Sequence, residues 1–235
     1  MLPRKLPVAL TLKCELTPIY LSFARFSTVL ALLFVSAFSG CSHYRPTESG
    51  YLTDYSQLRR DPFHLNFGIG TQVADSRPST PEALHSIDSF YIEPAAWLVD
   101  PRSRAGKATS VREPLLARLD EELREQLGQI KPIVETPGPN SARVRSAITT
   151  VRLSRPLVNL GLTATLFSPI PIGPIFFGGG AIEAEALSPD GHQMAAVSTA
   201  SSGGLIDFVG YYWKSGHARK SLHRNVKELK EALSP

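Results

Sequence analysis

The chain has 235 residues, of which 43% are hydrophobic, 20% charged and 9% aromatic, a balance that excludes a disordered or collagen-like polymer. Its formal net charge is +4, but residues 1–40 hold four of the 25 basic residues and one of the 21 acidic ones, so the remainder nets only +1. The pI of about 9.1 therefore belongs largely to the N-terminal segment and argues against nucleic acid as a partner. The two cysteines, Cys14 and Cys41, exclude a disulfide scaffold and a cysteine-based zinc site.

Phe26–Phe38 (FSTVLALLFVSAF) is an uncharged, mostly apolar run with Arg25 before it. It falls well short of the roughly 20 residues of a spanning helix. Its length suits the apolar region of a secretory signal peptide. Small residues and a cysteine follow at once, and Phe38-Ser39-Gly40-Cys41 resembles a bacterial lipobox, with Phe38 where Leu is usual. That resemblance implies cleavage after Gly40, diacylation of the Cys41 thiol and acylation of the new amino group. A non-lipidated signal peptide cut nearby and an uncleaved anchor are the alternatives. Met1–Ala24 lengthens the leader, and no Met lies between Met1 and Cys41, so a later start at a non-Met codon is one explanation. Three acyl chains, at about 0.8 kcal/mol per buried methylene, would hold the protein firmly to a bilayer. Ser42 stands where Asp would direct inner-membrane retention in Gram-negative sorting, so the expected address is the outer membrane, facing the periplasm. The expected division is a signal peptide over 1–40, a polar tether over 41–50 and a single domain over 51–235.

Tyr51–Leu58 (YLTDYSQL) is expected to dock on the domain, and Asp61–Pro81 reads as irregular, punctuated by Pro and Gly. Ser89–Val99 (SFYIEPAAWLV) is the first predicted strand, with Pro94 marking an edge or a bulge. Ser110-Val111-Arg112-Glu113 has a capping-box pattern and Pro114 suits a first helical turn. Leu115, Leu116, Leu119, Leu123, Leu127 and Ile130 then make an apolar stripe, with Asp120, Glu121, Glu122 and Glu125 mostly off it. Arg143–Leu153 alternates as a strand. Leu157–Ile182 is uncharged, but its prolines and glycines forbid a continuous spanning helix, and it is expected to be partly buried. Ala181–Leu187 and Met194–Ala200 flank Ser188-Pro189-Asp190-Gly191, a hairpin signal. The last helix, about Gly216–Leu233, turns Ala218, Leu222, Val226, Leu229 and Leu233 to the core and is otherwise basic. This order predicts an α+β fold: a mixed, mainly antiparallel sheet with two helices packed on one face.

Ser49-Gly50-Tyr51-Leu52-Thr53-Asp54-Tyr55-Ser56-Gln57-Leu58 after a lipobox resembles the start of an uncharacterised bacterial lipoprotein family, domain of unknown function 3313. Arg143–Thr150 and Gly180–Ala186, with its turn at Asp190-Gly191, resemble the same family, although Ser188 stands where an Asp would end the strand. The resemblance covers about the whole mature chain and implies a secreted lipoprotein domain of mixed α/β type. It carries over no catalytic residue.

No H-E-x-x-H arrangement is present, nothing resembles a nucleophile–base set that sequence alone could defend, and no cofactor or metal is expected. His43, His64, His85, His192, His217 and His223 read as exposed or inert. His217 and His223 are six residues apart on one helix and cannot clasp one ion from one face. Glu183 and Glu185 point to one side of a strand, and the plainest reading is a solvated sheet face. Arg143 and Arg145 are the expected cross-strand partners. Gly178-Gly179-Gly180 reads as a flexible turn. A surface made of Glu183, Glu185, Arg219, Lys220, Arg224 and Lys227 is the candidate interaction site. The basic helix face is either merely solvated or attracted to lipid headgroups, peptidoglycan carboxylates or an acidic protein. The resulting expectation is a non-enzymatic accessory domain held to the membrane through Cys41, binding an envelope protein or peptidoglycan and no nucleic acid. The rival readings are an envelope hydrolase using acidic residues and a small-molecule or lipid carrier lined by Leu157–Ile182.

Overall fold

Four long strands lie side by side, and two amphipathic helices cover one of their faces. A computed structural model of the chain describes residues 46, 48–60, 64–66, 70–157, 160, 178–203 and 213–234, all within one unit spanning residues 44–235. The elements in chain order are β1 (Arg59–Arg60), β2 (His64–Asn66), β3 (Gly70–Arg77), α1 (Pro81–His85), β4 (Ser89–Ile92) and β5 (Ala96–Trp97). They continue with α2 (Thr109–Leu127), β6 (Ile133–Val134), β7 (Ser141–Arg152), β8 (Gly179–Leu187), β9 (Gln193–Ser202) and α3 (Gly216–Leu233). The sheet order is β1-β3-β9-β8-β7-β4-β6, with β2 also paired to β3 and β5 to β7. Pairing is antiparallel from β1 to β7, and parallel where β4 and β5 join β7 and β6 joins β4. The fold is thus α+β, mixed and mainly antiparallel.

The β8–β9 hairpin closes through Ser188–Gly191. Gly191 adopts φ +84, the left-handed region that glycine enters without strain. Ser188 stands where an acidic residue was expected, and its Oγ accepts the His192 N–H at 3.1 Å, so a hydroxyl serves in the turn. On the helix side, Val144, Ile148, Ile182, Ala184, Ala186 and Val197 meet Leu115, Leu119, Leu123 and Leu127 of α2 and Leu222, Val226 and Leu229 of α3. Each wholly buried leucine contributes about 1.5–3 kcal/mol. The alanines on β8 and Gly180, where an added Cβ would sit 3.6 Å from Ser221 Cβ, let α3 approach the sheet closely.

Several sequence expectations are corrected. The first long strand is β3, inside the stretch read as irregular. Its sequence, GTQVADSR, has no strong apolar alternation, and pairing with β9 supplies its order. Ser89–Val99 is two short strands. Ile92 pairs Val144 and Ala96 pairs Ala147, so four steps on one side oppose three on β7, a one-residue bulge around Pro94. Helix α2 starts at Thr109 without a side-chain cap, and Pro114 sits in its second turn. Gly179 and Gly180 lie within β8 and form no turn. A Cβ on Gly179 would come 2.5 Å from the Ser201 carbonyl oxygen, so the position demands glycine for close backbone approach. Leu157 and Leu160 are exposed at 85% and 59%, against the expected partial burial. The rest of Leu157–Ile182 up to residue 177 lies outside the described residues.

Candidate functional site

Strand alternation sends Ile182, Ala184 and Ala186 to the helices, so Glu183 and Glu185 point to the opposite face. They are not solvated there, because residues 49–55 lie across them and leave both carboxylates fully buried. Glu183 accepts hydrogen bonds from Ser49 N–H at 2.8 Å, Ser49 Oγ at 2.6 Å and the Tyr55 hydroxyl at 2.6 Å. Glu185 accepts from Thr53 N–H and Thr53 Oγ1, both at 2.9 Å, and from Gln193 Nε2 at 2.8 Å. Arg145 faces Glu185 in register across the β7–β8 pair and makes an ion pair with it at 3.3 Å. All four carboxylate oxygens are therefore engaged, which offsets the cost of burying charge.

The same arginine holds the segment from its other side. Its guanidinium lies 4.9 Å from the centre of the Tyr51 ring, and Nη2 donates to the Tyr51 carbonyl at 3.4 Å. Tyr51 in turn donates its hydroxyl to the Ser146 carbonyl at 2.9 Å. Tyr55 accepts the Leu52 N–H at 3.1 Å while donating to Glu183, so its oxygen is used in both directions. Burial, followed by the hydrogen bond to the Glu183 carboxylate, raises the Tyr55 hydroxyl above the ordinary tyrosine value. Burial raises Tyr51 as well and outweighs the opposing hydrogen bond from Arg145. The arrangement is a latch: side chains of residues 49–55 are received by two buried carboxylates of the central hairpin.

Docking of Tyr51–Leu58 is as the sequence indicates, but the latch begins inside the stretch read as tether, at Ser49. Of the two expected cross-strand arginines, Arg145 meets Glu185, whereas Arg143 pairs with Leu187 in register and lies 3.6 Å from Glu93. The six residues proposed as one interaction surface do not form one. Glu183 and Glu185 lie buried on one side of the sheet, and Arg219, Lys220, Arg224 and Lys227 sit on α3 on the other. Arg219 and Lys220 are exposed. Arg224 donates to the Ser202 carbonyl at 2.9 Å and so ties α3 to β9, and Lys227 pairs with Glu231 at 3.0 Å.

Two polar groups within the helix layer escaped the sequence reading. Glu122 is fully buried. It meets Arg118 one turn earlier and His223 Nδ1 at 2.8 Å, linking α2 to α3. Its spacing of three from Leu119 and seven from Leu115 puts it on the buried seam, and that spacing was the available signal. His217 is buried rather than exposed, and its Nδ1 accepts the Gly178 N–H at 3.2 Å and lies 2.9 Å from Ser154 Oγ. Among the described residues no group of His, Cys, Asp and Glu is placed to hold a metal, and no helix is long and apolar enough to cross a membrane. Cys41, Ser42 and His43 lie outside the described residues.

The latch segment opens the stretch shared with other proteins. A family model described as "Protein of unknown function (DUF3313)" matches residues 47–210, from just before the latch to beyond β9. The chain belongs to the DUF3313 family. It is similar to a curated protein named "Uncharacterized lipoprotein YdcL" from Escherichia coli strain K12, with 30% identity over 133 residues. The same figures hold for the protein of that name from Escherichia coli O157:H7. The match spans 55% of this chain and 58% of the length of those curated relatives. Among solved structures, this DUF3313 chain is similar to the PelC dodecamer from Paraburkholderia phytofirmans at 11% identity and a TM-score of 0.41, covering 68% of this chain and 97% of that one. A variant of the same PelC dodecamer gives 10% identity and a TM-score of 0.41, covering 68% of this chain and 96% of that one.

Proposed function

We propose that this DUF3313 chain is a lipid-anchored lipoprotein of the cell envelope, acylated on Cys41, that acts as a non-enzymatic accessory domain for an envelope partner. The observation that carries this reading is the lipobox-like Phe38-Ser39-Gly40-Cys41 placed just upstream of the latch. Only seven residues separate Cys41 from Ser49, and the eight steps between them reach about 26–29 Å when fully extended. An anchor there would keep the domain beside the bilayer, and the latch would transmit its pull directly to the central hairpin. The relatives named as lipoproteins support the same reading. The absence of Asp at position 42 favours the outer membrane, with the domain in the periplasm.

The non-enzymatic part of the proposal draws support from the two carboxylates most suited to acid–base work. Glu183 and Glu185 are buried, and each of their oxygens accepts from a donor of the chain itself, so both carboxylates are committed to the latch. The test is labelling with an alkyne-bearing palmitate analogue, followed by membrane fractionation. The wild-type chain should incorporate label and sediment with outer membranes, whereas Cys41→Ala should do neither. Label that persists in Cys41→Ala, or an unlabelled wild-type chain in the soluble fraction, would overturn the proposal.

A further inference from the structure

At the end of the sheet where β7 finishes and α3 begins, the domain exposes apolar side chains among cations. Trp213 is exposed at 68%, Leu157 at 85% and Leu160 at 59%. Their segments are joined by the Ser154 N–H, which donates to the Lys214 carbonyl at 3.1 Å. Leu157 lies only three residues beyond Ser154, within about 11 Å of chain. Lys214 and Arg219 are exposed beside them, with the Arg219 N–H donating to the Ser215 carbonyl at 2.9 Å. Among the described residues, none of 141–157 or 213–227 is Asp or Glu.

The placement of those cations works against the local backbone. Helix α3 has no acidic residue in its first turn and no side-chain cap, and Arg219 follows at its fourth position. The N-terminal end of a helix is already positive, so the arrangement gathers like charge unless an anion lies outside it. Exposed tryptophan and leucine beside lysine and arginine are the side chains that suit the headgroup–acyl boundary of a bilayer. The indole and alkyl groups enter the apolar layer and the cations meet phosphate.

We infer that Trp213 and Leu157, together with Lys214 and Arg219, form a second membrane contact that docks on an anionic phospholipid surface. The inference rests on the lipoprotein reading, because the anchor supplies the high local concentration that so small a patch needs. The geometry allows both contacts at once. Glu183, where the latch is received, lies four strand residues from Gly179 at this end of the sheet, about 14 Å, within the reach of the eight residues after Cys41. The contact would fix the orientation of the domain as well as its distance from the membrane.

The test uses the acylated full chain in vesicles of 70% phosphatidylethanolamine and 30% phosphatidylglycerol carrying brominated acyl chains, with phosphatidylcholine vesicles as the neutral control. Flotation reads the anchor and tryptophan quenching reads the patch. In anionic vesicles, fluorescence should be quenched and shifted to the blue. The quenching should disappear in Trp213→Phe although Trp97 remains. Lys214→Gln and Arg219→Gln should each weaken the quenched state about fivefold, as should raised salt in proportion to screening. Chains that float without Trp213 quenching would overturn this contact and leave the anchor standing. Equal quenching in neutral vesicles would overturn it by showing that the cations do not matter. Trp213 open to aqueous quencher in vesicles but shielded in native envelopes would replace the lipid with a protein partner. Failure to float would overturn both the anchor and the contact.

Discussion

Removing one oxygen atom, by Tyr55→Phe, probes the latch with little change of shape. The hydroxyl donates to the buried Glu183 carboxylate at 2.6 Å and accepts the Leu52 N–H at 3.1 Å. A hydrogen bond to a charged group contributes about 1.5–3 kcal/mol. Tyr55 is half-buried, so water can replace part of the bond and the lower end of the range applies, about 1.5–2 kcal/mol. For a domain of this size that corresponds to a fall in Tm of about 3–8 °C. Glu183→Gln should cost a similar amount, about 2 kcal/mol, because the charge is lost and the amide nitrogen turns a donor toward either the Ser49 N–H or the Ser49 and Tyr55 hydroxyls, where an acceptor is needed. The double variant should lose less than the sum, with a coupling of about 1 kcal/mol. Urea denaturation of the purified protein in detergent reads the energies, and amide exchange at Thr53 and Leu52 reads the segment itself. A Tyr55→Phe protein within about 0.5 kcal/mol of wild type, with unchanged exchange at these amides, would refute the latch.

Other predictions address the pH response and the core. Tyr51 and Tyr55 both titrate above the ordinary tyrosine value of 10.0, so their contribution is complete below that pH and is lost as pH rises through their folded values. Stability should therefore fall in alkali above pH 10, and the fall should be smaller in Tyr55→Phe when followed by circular dichroism against pH. Gly179→Ala should destabilise by about 1–3 kcal/mol in denaturant titration, since its Cβ would meet backbone rather than a yielding side chain. Leu123→Ala, at a fully buried position of α2 facing the sheet, should cost about 2–5 kcal/mol by the same measurement. Arg145→Ala should open the latch from its other side and leave Glu185 without its cation. Proteolysis within residues 48–58 should become faster than in the wild type.

What could be read in advance depended on how local each cause was. Helix α3 repeats its apolar residues over five positions from Ala218 to Leu233, and the β8–β9 turn carries its own Pro-Asp-Gly signal, so both emerge from adjacent residues. The start of α2 did not, because Ser110 and Glu113 have the capping-box residue types while the chain enters the helix a little earlier. Strand β3 is polar and takes its order from β9, more than 100 residues later. The carboxylate pair shows the difference most clearly. Alternation placed Glu183 and Glu185 on the face away from the helices, and that placement is correct. Whether that face is wet depends on Tyr55, 128 residues earlier, and on Ser49 and Thr53, and no periodicity within β8 carries that information.

The central claim is that the latch joins a folded domain to lipid on Cys41. Mass spectrometry of the N-terminal peptide from purified envelopes tests it most directly. The expected peptide begins at Cys41 and carries the added mass of three acyl chains and a glycerol backbone. A peptide that retains Gly40 or earlier residues, or one with an unmodified Cys41 thiol, would contradict it.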